Sequence, residues 1–221
     1  MTRLLLASAS PARLQTLAAA GIDALVHVSG VDEDAVLAQA RARFGELEPA
    51  DAVLVLARAK VEDVAEHLPE ALADADDLLL LGCDSMLEID DEVLGKPRDA
   101  DEAAARWRTM RGRTAVLHTG HWLLDERPLP AEGGVGTGGT HGATSSTVVH
   151  FADLGDDEIA AYVATGEPLA VAGAFTIDGL GGPFVEAIEG DHHGVVGLSL
   201  PLLRALLGEV GVRVHELWRT A

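Results

Sequence analysis

Leu78-Leu79-Leu80-Leu81-Gly82-Cys83-Asp84 decides how the rest of the 221-residue chain is read. Six residues without a charge run straight into a carboxylate. A short apolar run of this length marks a strand buried on both faces, because helices on both sides of a sheet leave no face to solvent. It is the central-strand candidate, with Asp84 expected at its end. Downstream, Met86 to Ile89 and Val93-Leu94 form a hairpin through Asp90-Asp91, and Gly95-Lys96-Pro97 lies at its exit. Upstream, Asp51 is expected to cap a helix running to about His67, with Pro69 beyond. Its apolar positions Val53, Leu56, Ala57, Val61 and Val64 repeat at helical spacing, and Lys60 lies in the same stripe. Periodicity leaves two readings for Lys60: a stem snorkelling at the stripe's edge, or an ammonium that reaches a polar site.

Near the N-terminus, Arg3 to Ala7 reads as a short strand, Ser10 as an N-cap, Pro11 as the first helical residue and Gly21 as the stop. A strand around Leu25 to Val28 leads to the acidic turn Val31-Asp32-Glu33-Asp34 and another helix. Beyond the hairpin, Asp99 caps a helix through Trp107 to Met110, Gly112 stops it, and a strand follows from Ala115 to Leu124. Pro128 to Ser145, rich in Gly and Thr, reads as a flexible surface loop; it lacks the Gly-Lys-Ser/Thr ending of a phosphate-binding loop. A strand (Thr147 to Phe151), a helix (Asp156 to Ala164) and an apolar segment (Leu169 to Ile177) come next. Strands near Phe184 to Ile188 and at Val195-Val196, a helix from Pro201, and Val212 to Leu217 close the chain. Alternating strands and helices with inserted hairpins predict a mixed α/β sheet in one domain over 1–221.

The formal net charge of −20 speaks against a nucleic-acid surface, which needs clustered Lys and Arg. A small phosphorylated ligand is still allowed, because a local pocket and a bound cation overcome the global field. No apolar run reaches the roughly 18 residues of a membrane span, and the first residues are too short an apolar stretch for a signal peptide. One cysteine, Cys83, excludes an internal disulfide. The expected address is the cytoplasm. Of 16 basic residues only Lys60 and Lys96 are lysines, which leaves two readings: places that need a compact ammonium, or two lysines that remain by chance.

Ligands in open α/β sheets collect beyond the carboxyl ends of strands. There, Ser8-Ala9-Ser10-Pro11-Ala12-Arg13 offers hydroxyls, free N–H groups at a helix start and a guanidinium. Asp84 supplies a carboxylate for a metal or a water, and Glu33 supplies a second acid; each alone also fits a plain turn residue. Two carboxylates with water and phosphate oxygens satisfy Mg²⁺ or Mn²⁺. His192-His193 has no ligand partner at helical spacing and reads as a surface turn.

In colinear order the chain carries Leu6-Ala7-Ser8-Ala9-Ser10-Pro11-Ala12-Arg13, Val31-Asp32-Glu33, Ala57-Arg58-Ala59-Lys60, Cys83-Asp84-Ser85, Gly95-Lys96-Pro97 and His118-Thr119-Gly120. Gly166-Glu167-Pro168, Ala172-Gly173-Ala174-Phe175 and Val195-Val196-Gly197-Leu198 follow. This set resembles the Maf family of nucleotide pyrophosphatases over nearly the whole chain. The resemblance implies an elongated mixed α/β sheet in two lobes around a deep cleft, similar to inosine triphosphate pyrophosphatases. It implies hydrolysis of a nucleoside triphosphate to the monophosphate and pyrophosphate. By the same resemblance Asp84 is the catalytic proton acceptor, Ser8, Arg13, Lys60 and Lys96 bind the triphosphate, and Glu33 joins Asp84 at a divalent metal. Departures from the family pattern are Ala12 for an arginine, Val171 for a lysine, Asp178 for a glutamine and Ser199 for a proline. Asp178 turns the expected base from uracil or thymine toward 7-methyl-GTP-like purines, because a carboxylate only accepts hydrogen bonds; a plain turn residue before Gly179 is the other reading. Two rival functions stand beside this one: a non-catalytic nucleotide-binding regulator of cell division and septum formation, and an enzyme clearing deaminated purine triphosphates. The sequence leaves the oligomeric state open, a homodimer included.

Overall fold

A computed structural model of the chain describes residues 2–69, 72 and 77–219. The first half comprises β1 (Arg3–Leu6), α1 (Pro11–Ala19), β2 (Leu25–Val26), α2 (Glu33–Phe44) and α3 (Pro49–Glu66). Then come β3 (Leu78–Ile89), β4 (Glu92–Leu94), α4 (Ala100–Met110), β5 (Thr114–Asp125) and β6 (Thr140–Phe151). The chain continues through α5 (Asp156–Ala164), β7 (Val185–Glu189), α6 (His192–Val196) and α7 (Leu200–Glu209), with short 3₁₀ turns between. Among the described residues the strands form one seven-stranded mixed sheet in the order β2-β1-β3-β5-β6-β7, with β4 paired to β3. No helix of the described residues is long and apolar enough to cross a membrane.

The apolar run at Leu78 is central, as its composition required. β3 lies parallel to β1 and antiparallel to β5. Its alternate residues feed two cores. Leu79, Leu81 and Cys83 pack with Leu4, Leu6 and α7 residues Leu203, Leu206 and Leu207. Leu78 and Leu80 pack with Leu5, Ala7 and the α3 residues Val61 and Val64. A third core surrounds Trp107, whose ring meets Phe151, Tyr162 and Phe184 edge-on while its indole N–H donates to the Ala174 carbonyl at 2.8 Å.

The sheet continues past the point where the sequence suggested a stop. β3 does not end at Asp84 but runs through it to Ile89, because β5 supplies an unbroken antiparallel partner from Leu79↔Asp125 to Glu88↔Val116. The hairpin is the second half of this same strand, turned at Asp90 and Asp91, both at positive φ. The helix start differs too: Glu48 is the N-cap of α3 and Asp51 lies in its first turn, since Pro49 fits N1 and lacks the N–H that would need a cap. Residues 140–145, read as loop, belong to β6 and pair with β5. The stretch before them is pinned where Thr137 donates its N–H and hydroxyl to Asp125. Val195-Val196 is helical, not a strand. The Asp191 carboxylate caps α6 by accepting from the His193 and Gly194 N–H groups, and Gly197 ends it at φ +119°. The two histidines read as a surface turn open that helix, both exposed.

α3 crosses the sheet at very short range. A Cβ at Gly82 would sit 2.2 Å from the Ala57 carbonyl oxygen, and one at Gly120 would sit 2.5 Å from that of Val53. The approach brings Lys60 down onto β3. Gly82→Ala therefore lifts α3 from the sheet; we expect about 1–3 kcal/mol of destabilisation and a lowered Tm by thermal unfolding. An unchanged Tm would mean the helix has room to yield.

Candidate active site

Side chains alternate along β3, so Asp84 continues the Leu78–Leu80–Gly82 face toward α3 while Ser85 points the other way. On the α3 side the Lys60 ammonium lies 2.5 Å from Asp84 Oδ1 and 2.7 Å from Glu33 Oε1. Lys60 and Asp84 are buried, and the Glu33 side chain is half exposed at the first turn of α2. The snorkelling reading of Lys60 does not hold: its charge is turned inward onto two acids.

Arg13 organises the opposite side. Pro11 and the Ser10 cap start α1 so that Arg13 falls on its buried face. Its Nε donates to the Gly197 carbonyl at 2.8 Å, Nη1 to the Cys83 carbonyl at 2.7 Å and to Ser8 Oγ at 2.9 Å, and Nη2 to Ser85 Oγ at 3.1 Å. Both neighbours of Asp84 are thus held by one guanidinium. Ser85 Oγ also meets Thr119 Oγ1 at 2.9 Å, and that hydroxyl donates to the Gly194 carbonyl at 2.8 Å. Ser85 and Thr119 had no assigned role in the sequence. Strand alternation puts Ser85 on the face opposite Asp84, but only the β3–β5 register places Thr119 beside it.

Electrostatics follow from burial. Desolvation pushes the Asp84 carboxyl above the ordinary carboxylate range, and the charges of Lys60 and Arg13 offset that only in part. The Cys83 thiol is pushed up to about 11, again mainly by burial. His121, also buried, is lowered to about 4 for the same reason. Its Nε2 accepts from the Ser199 N–H at 2.8 Å and its Nδ1 faces the Thr119 carbonyl at 3.0 Å, which fits a neutral ring protonated at Nδ1.

Lys96 stands exposed on the turn after β4 and makes no ion pair among the described residues. The turn itself is fixed, because the Gly95 carbonyl accepts from Arg106 Nη1 at 2.5 Å and from the Gly173 N–H at 3.1 Å. Asp178 is exposed and lines a cavity of about 290 Å³ with Ala12, Gln15, Thr16, His192 and His193. Lys60, Glu33 and Asp84 are therefore in direct contact, Ser8 and Arg13 contact each other and reach Asp84 only through its chain neighbours Cys83 and Ser85, and Lys96 and Asp178 stand apart from both groups.

Among the described residues no group of three or more His, Cys, Asp or Glu is arranged to hold a metal. Glu33 and Asp84, meeting at one ammonium, fit the smaller requirement of Mg²⁺ or Mn²⁺, which take few protein ligands and complete their shell with water and phosphate oxygens.

Fold and site together define a mixed α/β protein with a buried acid–cation cluster on its central strand. The family model described as "Maf-like protein" matches residues 3–210, and the chain belongs to that family. It is 55% identical over 216 residues to a nucleoside triphosphate pyrophosphatase of Salinispora tropica, covering 98% of this chain and 87% of the relative. Relatives of the same name from Nocardia farcinica (54% identical, 98% and 96% covered) and Streptomyces coelicolor (51%, 99% and 96%) are similar over nearly their whole lengths.

Replacing Lys60 by Met strands a buried carboxylate. The expected loss is about 3 kcal/mol in denaturant unfolding at about pH 8. The sign follows from a folded-state pKa raised above the unfolded one. Such an acid contributes stability below the ordinary carboxylate range and loses it as pH rises through the folded value. Without Lys60 that loss grows, so the gap to the parent must narrow toward acid; a gap that widens there contradicts the pairing.

Proposed function

We propose that the chain hydrolyses nucleoside triphosphates to the monophosphate and pyrophosphate, with Asp84 as the proton acceptor for water attacking the α-phosphorus. The carrying observation is the single ammonium of Lys60 shared by Asp84 and Glu33. Incoming phosphate oxygens would compete with the two acids for that ammonium and free Asp84 to take a proton. The raised basicity of Asp84 suits this task, since a useful general base has a pKa moved toward the working pH. The reaction forms one oxygen–phosphorus bond from water, breaks the α–β bridging bond and leaves the water proton on Asp84. Little covalent chemistry is asked of the protein; positioning and charge stabilisation carry most of the barrier. Ser8 and the N-terminal turn of α1 offer hydrogen-bond donors to phosphate, and Lys96 adds a second ammonium that makes no ion pair among the described residues. Arg13 adds positive charge beside Asp84 while holding its strand in place. A divalent cation held by Glu33 and Asp84 would spread the charge that develops on the leaving pyrophosphate.

Asp84→Asn removes the proton acceptor and keeps the shape. Turnover should fall by roughly 10² or more with nucleotide affinity little changed, measured as pyrophosphate release with Mg²⁺ or Mn²⁺ supplied. Near-parental turnover would end the assignment.

Base choice rests on Asp178. Asp178 lines the cavity with the imidazoles of His192 and His193 and the apolar side chains of Ala19, Val196 and Leu200, a setting that suits a planar base. A carboxylate accepts the paired N–H donors of a guanine edge together, and a 7-methylated ring adds a positive charge. Uracil would bring carbonyl oxygens against it, at roughly 1–3 kcal/mol for each unpaired group. We therefore expect kcat/KM to rank 7-methyl-GTP above GTP and both above UTP and dTTP, and Asp178→Gln to reverse that order. A parent preferring UTP or dTTP overturns this reading of Asp178 but leaves the pyrophosphatase assignment intact.

A further inference from the structure

Glu167 carries a carboxylate that the reaction above does not use, and it is satisfied by four donors. Oε1 accepts from the Tyr162 hydroxyl at 3.1 Å, from the Thr176 hydroxyl and from the Gly181 N–H at 3.0 Å. Oε2 accepts from the Leu180 N–H at 3.0 Å. Burial alone would raise its pKa, but these bonds prevail and hold it below the usual carboxylate range.

Three of the four donors bracket Asp178 in sequence, at 176, 180 and 181. The 176–181 segment is thus wrapped around Glu167, with Tyr162 of α5 inside the same wrap: the Thr176 N–H donates to the Tyr162 hydroxyl at 3.2 Å. Its glycines are demanded by this closeness. A Cβ at Gly179 would come 2.7 Å from Glu167 Oε2, and one at Gly181 would come 2.5 Å from the Tyr162 hydroxyl. With its inside filled by these two side chains, the loop shows Asp178 outward, to the cavity beside α1 and α6.

We propose that Glu167 is a positioning residue for base selection, fixing the 176–181 loop so that Asp178 meets the base in one place. The proposal rests on the reading of Asp178 as the group that contacts the base. Glu167→Gln is the sharp test, because it keeps the shape and puts an NH₂ against N–H and O–H donors that need an acceptor. Tyr162→Phe is the milder companion: it keeps the ring in the Trp107 core and removes only the hydroxyl.

Two readouts separate the possibilities. Hydrogen exchange followed by mass spectrometry reports on the loop directly. Steady-state kinetics with 7-methyl-GTP, GTP, UTP and dTTP report on selection. In Glu167→Gln, exchange in the peptide containing 176–181 should accelerate, and the ratio of kcat/KM between the parent's best and worst nucleotides should shrink about tenfold. The kcat for the worst nucleotide should stay within about twofold, since that substrate gains little from Asp178. Tyr162→Phe should move both readouts the same way by less. Unaltered exchange, or faster exchange with an unaltered nucleotide ratio, overturns the proposal. So does an equal loss of kcat on all four nucleotides, which is what general damage produces. Because the criterion is the parent's own ratio, a parent preferring UTP or dTTP refutes the guanine reading of Asp178 without deciding the role of Glu167.

Discussion

Among the described residues the Lys60 ammonium is the one cation that meets Asp84 and Glu33 together, and its placement constrains much of the surrounding structure. A side chain that long reaches the central strand with its charge buried only if its helix lies almost on the sheet. That is why Gly82 and Gly120 stand under Ala57 and Val53. Burying the pair stabilises little in itself, since the attraction of two desolvated ions barely offsets their desolvation free energy. The arrangement is better understood as a means of keeping an acid basic and a cation poised in one place. α2 contributes through Glu33, whose half-exposed carboxylate is the member of the trio most open to solvent.

The two sides of β3 divide the work. Facing α3, Asp84 has chemistry available to it. Facing α1 and α6, Cys83 and Ser85 are held by Arg13, which also ties in Ser8 and the Gly197 carbonyl at the end of α6. One guanidinium therefore joins the first strand–helix turn, the central strand and a C-terminal helix. These segments lie far apart in sequence, so the site depends on long-range packing rather than on any local motif.

Much of this was legible from the residues. The Leu78 run is central because only a doubly covered strand tolerates such a composition, and the Lys60 stripe was visible as a charge inside an apolar period. Ser10 and Asp99 cap the helices they precede, each by a side-chain oxygen accepting a backbone N–H. What was not legible depends on partners elsewhere in the chain. Asp84 reads as a strand end because charge normally terminates an apolar run; β5 and Lys60 together allow the strand to pass through it. Val195-Val196 is β-branched and reads as a strand, but the Asp191 cap and Gly197 close it into a helical turn. The role of Ser85 and Thr119 needs the β3–β5 register, which no single segment carries.

The sealing of Cys83 has a practical side. Its thiol is fully buried and raised to about 11, so at neutral pH it is neither reachable nor ionised. Alkylation by a soluble reagent then requires the central strand to open. As the only cysteine in the chain, it is a built-in gauge of how often the molecule breathes at the very strand that carries Asp84.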